Sequence, residues 1–350
     1  MRKAWKIGGI ILGNVCVLFM LAYGLSGFMA KEQQFIAPTD AAWLYTNGVW
    51  ESVEREGLGI VMAGKHTGAK AKIETDSPVA TLKQRGTGGE IKVFVDGKPV
   101  VTHVVPKDDQ WHELPIYRNL TGWHEIGFAF SALNQEIGGL YIEDGAGVRK
   151  PKYDKKRLVV IGHSYAEGCC LDDKGFSSFA SLMGDILDAE SINVGIGRTD
   201  INAGGARSGL SRVESDVIAF QPDYVLSVYG VNAVGSINSG DSSHEQYQAE
   251  YAEFLKKIND ALPETQVFAS GIIAVRGMSD ETLAPFNEDI KNACASVPNC
   301  TFVDLAGKWN EENFAKYLSR DGIHPSRDGH EFLANEYAIA IKLRQQQQGK

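Results

Sequence analysis

The string Asp321-Gly322-Ile323-His324-Pro325 holds a carboxylate and an imidazole three residues apart in one loop. At that spacing the carboxylate can accept the ring Nδ1–H and leave Nε2 free to take a proton. Far upstream, Val159-Val160-Ile161-Gly162-His163-Ser164 is an apolar run ending in Gly-x-Ser, which places a serine at the carboxyl end of a buried strand. Between them, Tyr229-Gly230-Val231-Asn232 puts an amide at the end of another apolar run. Serine, amide, carboxylate and imidazole are the parts of an acyl-transfer site.

Each part also has a plainer explanation. Ser164 alone reads as well as a helix N-cap, and Asn232 as a cap or turn residue. Asn193-Val194-Gly195-Ile196-Gly197 reads as an ordinary tight turn, although its glycines would let a backbone N–H approach a ligand closely. Asp321 and His324 alone read as a capping loop with a surface histidine. The four segments together, in this order, favour the chemical reading. His163 and His330 are read as structural.

These residues need strand ends to hold them. From Leu158 the pattern alternates. Strands are expected over 158–162, 191–194, 224–229, 267–273 and 301–305, with helices over 176–187, 210–220, 247–262, 283–295 and 329–343. Strands joined by helices make a parallel sheet with right-handed crossovers. In such sheets ligands bind at the carboxyl ends of the strands. Ser164, Gly195, Gly197 and Asn232 all fall there. From Phe35 to Val148 the chain reads as β instead. Glu90–Val95, Val100–Val105, Trp123–Phe130 and Gly138–Glu143 have strand character, and Asp96-Gly97 is a hairpin signal. A sandwich or jelly roll is expected there. A short basic connector follows around Arg149-Lys150-Pro151.

The chain has 350 residues, 43% hydrophobic and 23% charged, an ordinary globular composition with ample core. A net charge of −9 without a basic tract argues against nucleic acid as a partner. Met1 to Lys6 is basic, and Ile7 to Ala30 is apolar apart from Asn14 and Ser26. That stretch is long enough to span a ~30 Å hydrocarbon core. It is expected to act as a membrane anchor with its N-terminus inside, or as a signal cleaved near Ala22-Tyr23-Gly24. Either way the body is expected outside the cytoplasm. Cys294 and Cys300 either close a small disulfide loop or stay as buried thiols, and adjacent Cys169 and Cys170 are not expected to bond to each other. No Cys/His spacing matches a zinc site, so neither metal nor cofactor is expected. Asn119-Leu120-Thr121 and Asn299-Cys300-Thr301 fit the glycosylation pattern.

Gly162-His163-Ser164, Gly230-Val231-Asn232 and Asp321-Gly322-Ile323-His324 together resemble the blocks of the SGNH, or GDSL-type, hydrolases over about Leu158 to Lys342. The resemblance implies a flavodoxin-like three-layer α/β/α domain that needs no metal. Ser164 would be its nucleophile, His324 its base and Asp321 the orienting carboxylate. The oxyanion donors would be the Ser164 N–H, a glycine N–H and Asn232. Two departures stand out. His163 occupies the position where the family usually has Asp. The second block is imperfect, leaving both Gly195 and Gly197 as the glycine donor, with Gly209 a weaker third. The β region, through Gly89–Val95, Leu120–Ile126 and Gly139–Ile142, is similar to the N-terminal jelly roll of family-two carbohydrate esterases, which deacetylate polysaccharides. The expected organisation is a signal or anchor over 1–34, a β-sandwich over 35–148 and a hydrolase domain over 152–344. The expected activity is removal of O-acetyl groups from a carbohydrate. The alternatives are an O-acyltransferase, a short-chain lipase or thioesterase-type esterase, and a glycan-binding protein without catalysis.

Overall fold

Burial alternates strictly along Lys70–Thr75, Val79–Thr87 and Glu90–Val95, so each strand has one face for a core and one facing out. Two antiparallel sheets of six strands use those faces. One runs Trp50–Arg55, Gly59–Gly64, Gln135–Glu143, Val79–Thr87, Lys107–Arg118, with Gln33–Ile36 also on Gln135–Glu143. The other runs Val148–Arg149, Lys70–Thr75, His124–Phe130, Glu90–Val95, Lys98–Val104, with Leu44–Thr46 on Lys70–Thr75. Their inner faces close over Ile73, Leu82, Ile91, Val93, Phe128, Phe130 and Leu140. The computed structural model describes residues 32–56, 59–202 and 205–348. Of the signal or anchor expected over 1–34, residues 1–31 lie outside the described residues, whereas Gln33 and Gln34 belong to the β part, paired with Glu143 and Ile142. Among the described residues no helix is long and apolar enough to cross a membrane.

The second part is a five-stranded parallel sheet. Its strands in chain order are Arg157–Gly162, Glu190–Asn193, Tyr224–Val228, Gln266–Ser270 and Cys300–Val303. Their spatial order is second, first, third, fourth, fifth, the flavodoxin-like arrangement. Both faces are apolar because helices cover both. Val159, Ile161, Val225 and Val267 pack under helices Gly209–Asp216, His244–Ala261 and Asp280–Ala295. Leu158, Val160, Leu226 and Phe268 pack under Phe179–Leu187 and Arg327–Gln348. Tyr251, Phe254, Leu255 and Ile258 share one face of His244–Ala261 and are fully buried. Burial of each such side chain contributes about 1.5–3 kcal/mol.

Several boundaries differ from the sequence expectation. The helix expected over 176–187 is two, because Ser178 is extended and caps a new helix at Phe179 by accepting from Ser181 N–H. The helix expected over 210–220 ends at Asp216, and a 3₁₀ turn covers Ile218–Phe220. Val231–Ser239 is a helix that the polar, glycine-containing sequence did not signal. Cys294 and Cys300 are disulfide-bonded, tying the end of a helix to the last strand, while Cys169 and Cys170 are free thiols.

The two parts touch through specific polar contacts. Asn47 donates its N–H to Glu190 Oε1 at 2.9 Å and its amide to Ser191 O at 2.8 Å. Gly175 N–H donates to Ser131 O at 3.0 Å, and Thr67 bridges Asn193. The β part is therefore fastened to the second parallel strand and to the helical turn Lys174–Ser177 that precedes it.

Candidate active site

Ser164 is the first residue of the helical turn Ser164–Glu167, immediately after the first parallel strand. His163 caps that turn, its ring accepting the Tyr165 N–H. His163 is buried, and burial, reinforced by the neighbouring His324, pushes it down to about 3, so it stays neutral. It fits the structural role read for it. So does His330, buried against Phe179 and accepting the Phe179 N–H through Nδ1 at 3.2 Å. Burial pushes His330 to about 3 as well.

His324 comes from the loop before the last helix, and its Nε2 lies 2.9 Å from Ser164 Oγ. Its Nδ1 lies 2.6 Å from Asp321 Oδ2. Oδ1 of Asp321 accepts from Ser319 Oγ at 2.7 Å, Ile323 N–H at 2.8 Å and His324 N–H at 2.9 Å. Burial raises this carboxyl. The donors from His324, Ile323 and Ser319 outweigh it and hold the group well below the usual carboxylate range. An ionised Asp321 must receive the Nδ1 proton, so Nε2 presents its lone pair to the serine.

The loop is itself held from the Ser164 side. Tyr165 OH donates to Ile323 O at 2.7 Å, and Arg276 N–H to Gly322 O at 2.9 Å. Tyr165, next to the serine in sequence, thus braces the loop that carries His324. No motif signalled that role.

The oxyanion side departs from expectation. Gly195 N–H donates to Asn193 Oδ1 at 3.0 Å and Gly197 N–H to Glu167 Oε2 at 2.8 Å. Gly209 N–H donates to Asp200 O at 3.0 Å. All three glycine donors are therefore engaged within the protein. Gly195 serves close packing instead: a Cβ there would sit 2.3 Å from Glu167 N. Arg198 follows Gly197 with φ +62, a left-handed conformation rare outside glycine, and among the described residues its N–H finds no hydrogen-bond acceptor. A Cβ on Gly197 would lie 3.7 Å from that of Ser164, so this turn abuts Ser164. A search for glycines passes over an arginine here; the signal lies in its backbone angle. Asn232 is exposed in the first turn of Val231–Ser239, one amide hydrogen donated to Thr199 O at 2.8 Å and the other unassigned. Its chain direction is set at Gly230, whose φ of +129 suits only glycine.

A cavity of about 430 Å³ lies between the two parts, lined by Asn47, Lys72, Phe128, Tyr153, Phe176 and Asp185 among others. It contains none of Ser164, His324 and Asp321, so it is separate from this site.

Fold and site define a serine hydrolase acting on ester bonds. Residues 160–332 match the model of the GDSL-like lipase/acylhydrolase family, and the chain carries a domain belonging to that family, the SGNH hydrolases. An acetylxylan esterase of Geobacillus stearothermophilus is 27% identical over 209 residues, taking in 53% of this chain and 94% of the relative. The structure of a family two carbohydrate esterase from Cellvibrio japonicus superposes with a TM-score of 0.67 at 15% identity, covering 89% of this chain and 98% of that one. A salicylyl-acyltransferase from a tetracycline biosynthetic pathway superposes with a TM-score of 0.66 at 16% identity, covering 88% and 97%. At these identities the structural likenesses show the shared fold, the N-terminal β-rich part included.

Proposed function

We propose that this protein removes O-acetyl groups from a carbohydrate, outside the cytoplasm, through a Ser164–His324–Asp321 triad and an acyl-enzyme. The observation that carries the reading is the hydrogen-bonded series from Ser164 Oγ through both ring nitrogens of His324 to Asp321. Ser164 Oγ attacks the acetyl carbonyl as His324 Nε2 takes its proton. The imidazolium, stabilised by Asp321, then protonates the departing sugar hydroxyl. Water deacylates the serine by the reverse route. The Ser164 N–H, the Arg198 N–H and Asn232 Nδ2 bind the oxyanion; one such donor is typically worth about 3–4 kcal/mol of barrier. Arg198 takes the place first given to Gly195 or Gly197.

The acetylxylan esterase likeness supports an acetylated oligo- or polysaccharide as substrate. The apolar run Ile7–Ala30 and the Cys294–Cys300 disulfide both support an oxidising compartment, reached by export with the chain anchored or its signal cleaved. Fractionation and N-terminal sequencing of the mature product decide between those two. The activity is tested with p-nitrophenyl acetate and acetylated xylo-oligosaccharides, with and without an added sugar acceptor. Wild type should release acetate whether or not the acceptor is present, and Ser164→Ala should not, while keeping its melting temperature. Near wild-type turnover in Ser164→Ala would remove Ser164 as nucleophile. Transfer to the acceptor in preference to water would make the protein an acyltransferase.

A further inference from the structure

Beside the base lies a pair of thiols that the hydrolytic reaction does not use. Cys169 Sγ and Cys170 Sγ are 3.5 Å apart, and both are free. One ligand atom from each, together with one from His324, fall within 4.8 Å of one another. Cys170 Sγ is also 3.5 Å from Asp321 Oδ2. Neighbouring side chains on an extended chain point to opposite sides. Here Cys170 is left-handed, with φ +72, which turns both sulfurs to one side. Cys169 N–H donates to Ser164 O at 2.9 Å, fixing the pair to the nucleophile's own turn.

We propose that Cys169, Cys170 and His324 form a site for a thiophilic divalent cation of the zinc class, and that filling it stops hydrolysis. Zinc–sulfur bonds of about 2.3 Å and zinc–nitrogen bonds of about 2.0–2.1 Å in a tetrahedron require S···S near about 3.8 Å and S···N near about 3.6 Å. The observed spacing is within a few tenths of an ångström of the first. Binding releases two thiol protons to solvent and forms two metal–sulfur bonds and one metal–nitrogen bond. Water or the Asp321 carboxylate can take the fourth position. Each nitrogen of His324 already has a partner, Asp321 on one side and Ser164 on the other. Coordination through either one breaks the series.

Inhibition rests on His324 being the base; metal binding does not, so the two are read separately. The full chain, reduced and stripped of metal, is titrated with zinc chloride while p-nitrophenyl acetate hydrolysis is followed. Activity should fall as one equivalent binds and return with EDTA. In the Cys169→Ser/Cys170→Ser double variant, measured against its own uninhibited rate, half-inhibition should need on the order of 100-fold more zinc. Cobalt(II) gives the independent readout. A thiolate-to-cobalt charge-transfer band should appear in the wild type and in Ser164→Ala, and be missing in the double serine variant. Equal zinc inhibition of wild type and double variant overturns the proposal, as does the lack of that band at stoichiometric cobalt. A cobalt-bound enzyme that still hydrolyses at full rate overturns the regulatory claim. If the wild type hydrolyses nothing at all, the proposed activity fails, while the cobalt arm still reports on the site.

Discussion

Replacing Asp321 by Asn isolates what the carboxylate does. The amide keeps an oxygen for the three Oδ1 donors from Ser319, Ile323 and His324, so the loop should survive. At the Oδ2 position it presents an NH₂ group to His324 Nδ1. The ring then takes the tautomer with its proton on Nε2, aimed at Ser164 Oγ, and cannot accept the serine proton. Recovering the working tautomer sets two N–H donors face to face or turns the ring away. The lost charge-assisted hydrogen bond is worth about 1.5–3 kcal/mol. In a buried serine-protease triad the same change lowers kcat by about 10⁴. Here the side chains of Asp321 and His324 are 38% and 21% exposed, so water can take over part of the acceptor role. The expected loss in kcat is roughly 30- to 1,000-fold, about 2–4 kcal/mol of barrier. His324→Ala, which removes the proton acceptor itself, should lose more. The assay is the pH–rate profile on p-nitrophenyl acetate for wild type and both variants. With the neighbouring negative charge gone, the imidazolium is less favoured, and the acid limb of Asp321→Asn should move to lower pH. An unchanged rate with an unchanged acid limb would refute the assignment and leave a Ser164–His324 dyad.

Asn232→Ala should lower kcat by about 10²–10³ with little change in KM, the pattern for a donor used only in the transition state; retained kcat would exclude its amide from the oxyanion site. Arg198→Gly keeps the backbone N–H and relieves roughly 1–2 kcal/mol of left-handed strain, offset in part by the freer unfolded chain. Its kcat should hold and its melting temperature should hold or rise, whereas a collapse of kcat would show that the guanidinium and not the N–H acts. Stability should fall as pH drops from about 6.5 towards 3, because unfolded His163 and His330 take up protons near 6.5 and the folded ones only near 3. Melting temperatures from pH 8 to 4 measure this. His330→Gln should flatten the dependence, and a flat wild-type curve would contradict the burial argument.

That Ser164, His324 and Asp321 come together could be read from the chain, because the proposed roles depend on side-chain type and on short local spacing. The second oxyanion donor proposed here could not. Its chemistry belongs to a backbone N–H, and which N–H stays free depends on φ and on the partners its neighbours find. Gly195 and Gly197 looked suitable because glycine permits close approach. The structure uses that approach for packing against Glu167 and its own turn, and leaves Arg198 open. Among the strands, Glu90–Val95 and His124–Phe130 were visible because alternation and a strong apolar face accompany them. Lys107–Arg118 was not. It lies at the edge of its sheet, with mostly exposed residues and a register shift opposite Pro115, so it carries little of the periodic apolar signal that marks a half-buried strand.

Domain organisation and catalytic geometry meet at one residue that neither line of reading singled out. Asn193 ends the second parallel strand and bridges Thr67 of the β part. Its amide donates to Ala166 O at 2.7 Å, in the nucleophile's turn, and its Oδ1 holds the Gly195 N–H. A buried amide with these contacts is fully determined in orientation, and leaving any of them unmade is costly. The β part therefore does more than sit beside the hydrolase domain. By fixing Asn47 against Glu190 and Ser191, and Thr67 against Asn193, it sets the strand from which the Gly195–Arg198 turn departs. The distance between that turn and Ser164 thus depends on residues more than a hundred positions away. A hydrolase domain cut free of residues 32–149 would keep Ser164, His324 and Asp321 and lose the contacts that brace the proposed oxyanion loop.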